Sequence, residues 1–148
     1  MAPSASPAGR VPGMLYLLGN SDGRRNPVMR EASILLIEDD PAISMIVEEM
    51  MTDMGVSSVT IAGRLPVAIE AASSGDFHCA IVDLKLHGKD TFEVARILSG
   101  RSIPFAFFTG YTSDTLGEYA SLPVLPKPFA ESDLRDIIET LLDRAGGR

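Results

Sequence analysis

The sequence holds one cysteine, Cys79, and no tryptophan in 148 residues. A lone thiol excludes an internal disulfide framework and suits a reducing compartment, so a cytoplasmic chain is expected. Basic residues are in deficit: 13 Lys and Arg face 20 Asp and Glu, a net charge of −7. Proteins held to nucleic acid by phosphate contacts need the reverse balance, so no nucleic-acid partner is expected. No apolar run approaches the ~18 residues of a spanning helix, so no membrane insertion is expected. The two histidines, His78 and His87, lack metal-ligand spacing. His78 reads as a packing or turn residue. His87 reads as a loop residue, either solvated or sensing a nearby site.

What is present is ordinary for one globular domain: 45% apolar and 22% charged residues. The first 32 residues stand apart. They hold four of the ten prolines and four of the thirteen glycines, and carry +2 against −9 for the remainder. Residues 1–32 are therefore expected to be a flexible extension, and 33–148 the folded domain. The short apolar patch at residues 14–18 is too short and too close to Pro12-Gly13 for a secretory segment. It reads as a segment that docks on the domain or a neighbour. Met29 is an alternative natural start.

From Ser33 onward strand and helix alternate. Residues 34–37 form an apolar run ending in acids, which predicts a buried strand. Asp40-Pro41 opens a helix whose apolar positions Ile43, Ile46, Val47, Met50 and Met54 form one stripe, and Gly55 stops it. Further strands are predicted at 56–61, 79–82, 103–108 and 122–125, and helices at 65–72, 91–98 and 130–144. Pro123 suits an edge strand. Residues 112–120, broken by Gly117, allow at most a short or irregular fourth helix. Phe107 and Phe108 read as strand core on alternate faces. The pattern predicts an α/β fold, a doubly wound parallel sheet covered on both faces.

Such sheets put chemistry at the carboxyl ends of strands. Those positions hold Glu38-Asp39-Asp40, Asp83, Thr109-Gly110 and Lys127-Pro128. Each has a bland alternative: a solvated acidic loop, a helix cap at Asp40, a turn. Together they fit phosphoryl capture. Clustered carboxylates repel unless a cation sits among them, and an all-oxygen set favours Mg²⁺. Asp83 is a possible nucleophile forming an aspartyl-phosphate, while an amine and a hydroxyl would steady the phosphoryl oxygens.

The segments ILLIEDDP, IVDLKL, FFTGY and LPKPF resemble the receiver domain of two-component response regulators, over about residues 33–145. The resemblance implies a five-stranded flavodoxin-like sheet of order 2-1-3-4-5. It implies a phosphoryl group accepted on Asp83 from a histidine kinase or phosphotransfer protein. Asp39 then matches the direct Mg²⁺ ligand, Glu38 a ligand acting through water, and the Lys85 carbonyl a further ligand. Thr109 matches the switch hydroxyl and Lys127 the phosphoryl-pairing lysine, with Pro128 after a cis peptide bond. Asp40 is expected to be a cap.

There are departures from the family pattern. Val124 stands where the family has its aromatic switch residue, leaving Tyr111 and Tyr119 as candidate substitutes. The segment around Thr109 is similar to single-domain receivers with a Phe-Ala-Thr-Gly-Tyr signature, with Phe108 in place of Ala. Lys85 and Tyr111 flank the site and are candidates to tune phosphoryl lifetime.

No output domain follows, so a stand-alone regulator is expected, not an enzyme beyond slow self-dephosphorylation. It would act on a downstream protein as a monomer or weak homodimer. A phosphate-independent binding module is the alternative. A Mg²⁺-dependent phosphohydrolase ranks last, because Lys85 stands where such enzymes commonly carry a second acid.

Overall fold

Strands apolar on both sides must be covered on both sides, and helices cover each face here. The computed structural model describes residues 27–110, 116–119 and 121–146. In chain order it runs β1 (Ser33–Ile37), α1 (Pro41–Asp53), β2 (Ser58–Ala62), α2 (Leu65–Ser74) and β3 (Cys79–Asp83). It continues with β4 (Lys85–Leu86), β5 (Lys89–Asp90), α3 (Phe92–Gly100), β6 (Phe105–Thr109), β7 (Val124–Pro126) and α4 (Glu131–Gly146). Five strands form a parallel sheet in the order β2-β1-β3-β6-β7, the flavodoxin-like order expected.

The two-residue period of a strand splits the core in two. Ile34, Leu36, Cys79, Ile81, Ala106 and Phe108 pack under α1 and α4, against Val47, Met51, Leu134, Ile138 and Leu141. Leu35, Ile37, Ala80, Val82, Phe105 and Phe107 face α2 and α3, against Ala68, Ala72, Val94 and Leu98. Phe107 and Phe108 thus fill opposite layers, as the strand period predicts.

Local chemistry sets the element ends. The Asp40 carboxylate accepts from the Ala42 and Ile43 amides at the start of α1, with Pro41 at the first helical position. At its end Gly55 takes φ +97 and the Val56 amide donates to Met51 O, so Val56 closes the helix and β2 starts later than predicted. The Ile103 amide likewise donates to Leu98 O, which delays β6. The Leu122 amide donates to Tyr119 O, which delays β7. Pro123 precedes that edge strand, its carbonyl accepting from Phe107 N–H.

An antiparallel ribbon, β4 with β5, was not predicted. Its turn places His87 at φ 49 and Gly88 at φ 83, the left-handed pair that a two-residue hairpin needs. Between β6 and β7 the described residues hold one 3-10 turn, Gly117–Tyr119, where a short or irregular fourth helix was expected. The expectations for residues 1–26, Tyr111 and Gly147 lie outside the described residues. No helix among the described residues is long and apolar enough to cross a membrane.

Packing begins before Ser33, where the sequence placed the domain boundary. A 3-10 turn spans Pro27–Glu31, and Met29 and Ala32 lie in the core under α1 and α4. Met29 is 1% exposed. Burying a side chain of this size stabilises by about 1.5–3 kcal/mol, and deleting it leaves a cavity as well. Met29→Ala is expected to lower the unfolding free energy by about 2–4 kcal/mol in urea titration. A change below ~0.5 kcal/mol, as at an exposed position, would show that Met29 is not part of the core.

Candidate functional site

Parallel pairing levels the carboxyl ends of the strands. Ile37 pairs with Val82, Asp83 with Phe108 and Thr109 with Pro126, so the residues just beyond emerge in one row. Glu38 and Asp39 follow β1, Asp83 and Thr109 end β3 and β6, and Lys127 follows β7. One ligand oxygen from each of Glu38, Asp39 and Asp83 lies within 4.8 Å of the others. Glu38, Asp83 and Thr109 are all buried.

Each carboxylate is held. Glu38 Oε2 accepts from the Asp40 amide at 2.9 Å, and its Oε1 accepts from Lys127 Nζ at 3.0 Å. The same ammonium donates to Asp83 Oδ2 at 3.1 Å, while the Lys85 amide donates to Asp83 Oδ1 at 3.2 Å. Asp39 Oδ2 accepts from the His87 amide at 2.7 Å. Gly63 lets the chain after β2 close over the first acids: a Cβ there would lie 3.2 Å from Glu38 O. The Lys127 amide donates to Thr109 O, so the lysine and threonine are tied through their backbones. The Lys127–Pro128 bond is cis, as expected.

The titration behaviour follows this layout. Burial holds Glu38 above the usual carboxylate range; the Asp40 amide and Lys127 oppose it, and the charge of Asp83 adds to it. Asp39 is held below that range, first by the His87 amide. Burial alone would favour a neutral Lys127, but its bonds to Glu38 and Asp83 together outweigh this and hold its pKa up. Lys127 therefore stays an ammonium at neutral pH.

Other expectations resolve by position. Asp40 is the cap of α1. His78 sits at the far end of the sheet, its Nδ1 accepting from the Ser33 amide at 3.0 Å. His87 enters the site by its backbone, with its imidazole 65% exposed and Nδ1 3.7 Å from Asp39 Oδ2. Tyr119 packs on the α2–α3 face against Phe92, Phe105 and Phe107, with centroids 5.7, 6.2 and 5.8 Å away.

Two features escaped the sequence reading. The Thr91 hydroxyl donates to Asp83 O at 2.7 Å, fixing the end of β3. Lys127 Nζ lies 4.4 Å from the centre of the Phe108 ring. Neither carries a local signal, because both contacts join residues far apart or through backbone.

The fit to a cation follows from charge and donor type. Three carboxylates share this small volume with one ammonium. The donor set holds oxygen alone, without His nitrogen or Cys sulfur among the three, which suits a hard divalent ion such as Mg²⁺.

The response regulator receiver domain model matches residues 34–139. The chain belongs to the response regulator receiver family. The transcriptional regulatory protein PdtaR of Mycobacterium tuberculosis is 32% identical over 116 residues, 75% of this chain and 57% of PdtaR. TcrA of the same organism is 34% identical over 77 residues, 51% of this chain and 30% of TcrA. This receiver thus spans about half the length of PdtaR and less of TcrA. The solution structure of SdrG from Sphingomonas melonis Fr1 superposes with TM-score 0.67 at 31% identity, covering 75% of this chain and 96% of SdrG. The receiver domain of the sensor histidine kinase PA1611 from Pseudomonas aeruginosa PAO1 shares the fold, with TM-score 0.66 at 24% identity. The match covers 75% of this chain and 97% of that domain, whose active-site cleft coordinates a magnesium ion.

Lys127 is the counter-charge of two buried acids. Removing one partner of a buried pair costs about 3–5 kcal/mol; here about 2 kcal/mol is expected, because the ammonium keeps some contact with water. Lys127→Met should therefore unfold more easily in Mg²⁺-free buffer at neutral pH, measured by chemical denaturation. A carboxyl with a raised folded pKa destabilises when ionised, so the deficit should shrink as pH falls through that pKa towards the unfolded value. A deficit unchanged between pH 7 and about pH 4.5 would contradict this charge balance.

Proposed function

We propose that this receiver accepts a phosphoryl group on Asp83 from a histidine kinase or phosphotransfer protein, and signals by contact with a downstream protein. The observation that carries the reading is the Asp83 carboxylate itself. It is buried at the end of β3, its two oxygens fixed by the Lys85 amide and Lys127 Nζ, beside Glu38 and Asp39. Such an oxygen is aimed and desolvated, which is what an in-line attack on phosphorus needs.

Asp39, Asp83 and the Lys85 carbonyl would hold Mg²⁺, with Glu38 acting through water. When bound, the ion supplies positive charge to the phosphoryl oxygens during transfer. The remaining work falls to the chain. Lys127 would pair with one phosphoryl oxygen and the Thr109 hydroxyl would donate to another. A phosphoryl group adds about −1.5 to −2 charge and three acceptor oxygens, enough to draw both residues inward and shift the segment between β6 and β7. The relatives fit this reading: SdrG has a BeF3-activated conformation, and PA1611 coordinates magnesium. The chain would act in the cytoplasm, as a monomer or weak homodimer, and would not turn over a metabolite.

Intact-mass spectrometry after incubation with acetyl phosphate tests this. Wild type is expected to gain one phosphoryl group only when Mg²⁺ is present, and Asp83→Asn to gain none. Equal labelling of Asp83→Asn would overturn the assignment. If wild type is labelled neither by acetyl phosphate nor by a phosphohistidine donor, the chain is a phosphate-independent binding module.

A further inference from the structure

Lys127 has a third neighbour besides the two carboxylates. Its ammonium lies 4.4 Å from the centre of the Phe108 ring. Phe108 is fully buried. Its backbone is fixed on both sides, in register with Asp83 of β3 and Leu125 of β7. Its ring is braced by Phe129, with centroids 5.2 Å apart and planes at 81°. The ring therefore stays where it is when the site changes. The face of an aromatic ring carries negative potential, and the attraction of a cation to it strengthens as water is removed. Among the residues at the strand ends, it offers the lysine an attraction that does not depend on the charge state of a carboxylate.

That independence matters for the reaction proposed above, on which this inference rests. With acetyl phosphate, an Asp83 oxygen bonds to phosphorus as the bond from phosphorus to the acetate oxygen breaks. The electron pair of that bond leaves with acetate, and Lys127 keeps its protons. The Asp83 carboxylate charge is used in the new bond, so the contact of Lys127 with Oδ2 weakens as charge gathers on the phosphoryl oxygens. The contact with the ring does not weaken.

We propose that Phe108 is a positioning residue for phosphoryl transfer, its ring face holding the Lys127 ammonium over Asp83 while the carboxylate charge moves onto the phosphoryl group. Replacing Phe108 alone with mono-, di- and trifluorophenylalanine in the full chain tests this. Fluorine drains the ring face of electron density with little change of shape. The initial rate of phosphoryl gain from acetyl phosphate, at fixed Mg²⁺, should fall stepwise with each fluorine, reaching roughly tenfold at the third. Melting midpoints should hold steady across the series. Phe108→Leu keeps apolar packing without a ring face, and should slow the gain at least as much.

A rate independent of fluorine number in a chain that does take up phosphoryl would overturn the positioning role and leave the phosphoacceptor reading standing. A wild-type chain that takes up no phosphoryl from acetyl phosphate or a phosphohistidine donor overturns both.

Discussion

Three carboxylates crowded within 4.8 Å at the edge of an apolar sheet would drive each other apart or take up protons unless positive charge sits with them. Lys127 supplies that charge, bridging Glu38 and Asp83 at 3.0 and 3.1 Å. Much of the surrounding architecture serves to keep the lysine there. The edge strand β7 delivers it, its amide is tied to Thr109 O, and the Phe108 ring backs it. One ammonium does not neutralise three acids, so the site retains an appetite for a second cation. Asp39, held ionised by the His87 amide, is the acid the lysine does not reach among the bonds seen here.

The fold positions this cluster cheaply. In-register parallel strands end level, so residues distant in sequence meet without long loops to hold them. The row is stiff because both faces of the sheet are packed, and a displacement at one strand end is felt by its neighbours. The switch region differs. The described residues between β6 and β7 include a single 3-10 turn where a full crossover helix would otherwise cover the sheet, and Val124 lies beside Phe107 where an aromatic was expected. Tyr119 fills that layer instead, from the turn.

Much of this was readable in the residues. The central strands β1, β3 and β6 are apolar throughout, so both their number and their burial followed from composition. The site followed from position: once strand ends were placed, Glu38, Asp39, Asp83, Thr109 and Lys127 lay there. Boundaries were less legible. Val56 and Ile103 are strand-like side chains whose amides close the preceding helices, and side-chain pattern does not report where a backbone amide goes. The β4–β5 ribbon rests on a two-residue His87-Gly88 turn, too short for a periodic signal. Met29 lay inside a proline- and glycine-rich segment, and composition averaged over that segment hid one core residue. Phe108 was read correctly as core, but its face towards Lys127 depends on a contact between two strands.

The central claim is that this cluster of acids is completed by a divalent cation. The most direct measurement is the melting midpoint of wild type and Asp39→Asn as Mg²⁺ is raised at constant ionic strength. Binding to the folded state alone stabilises by about 2.7 kcal/mol at a hundredfold excess over Kd. The account predicts a midpoint that climbs with Mg²⁺ in wild type and stays nearly flat in Asp39→Asn. A wild-type midpoint indifferent to millimolar Mg²⁺, or an equal climb in both chains, would contradict it.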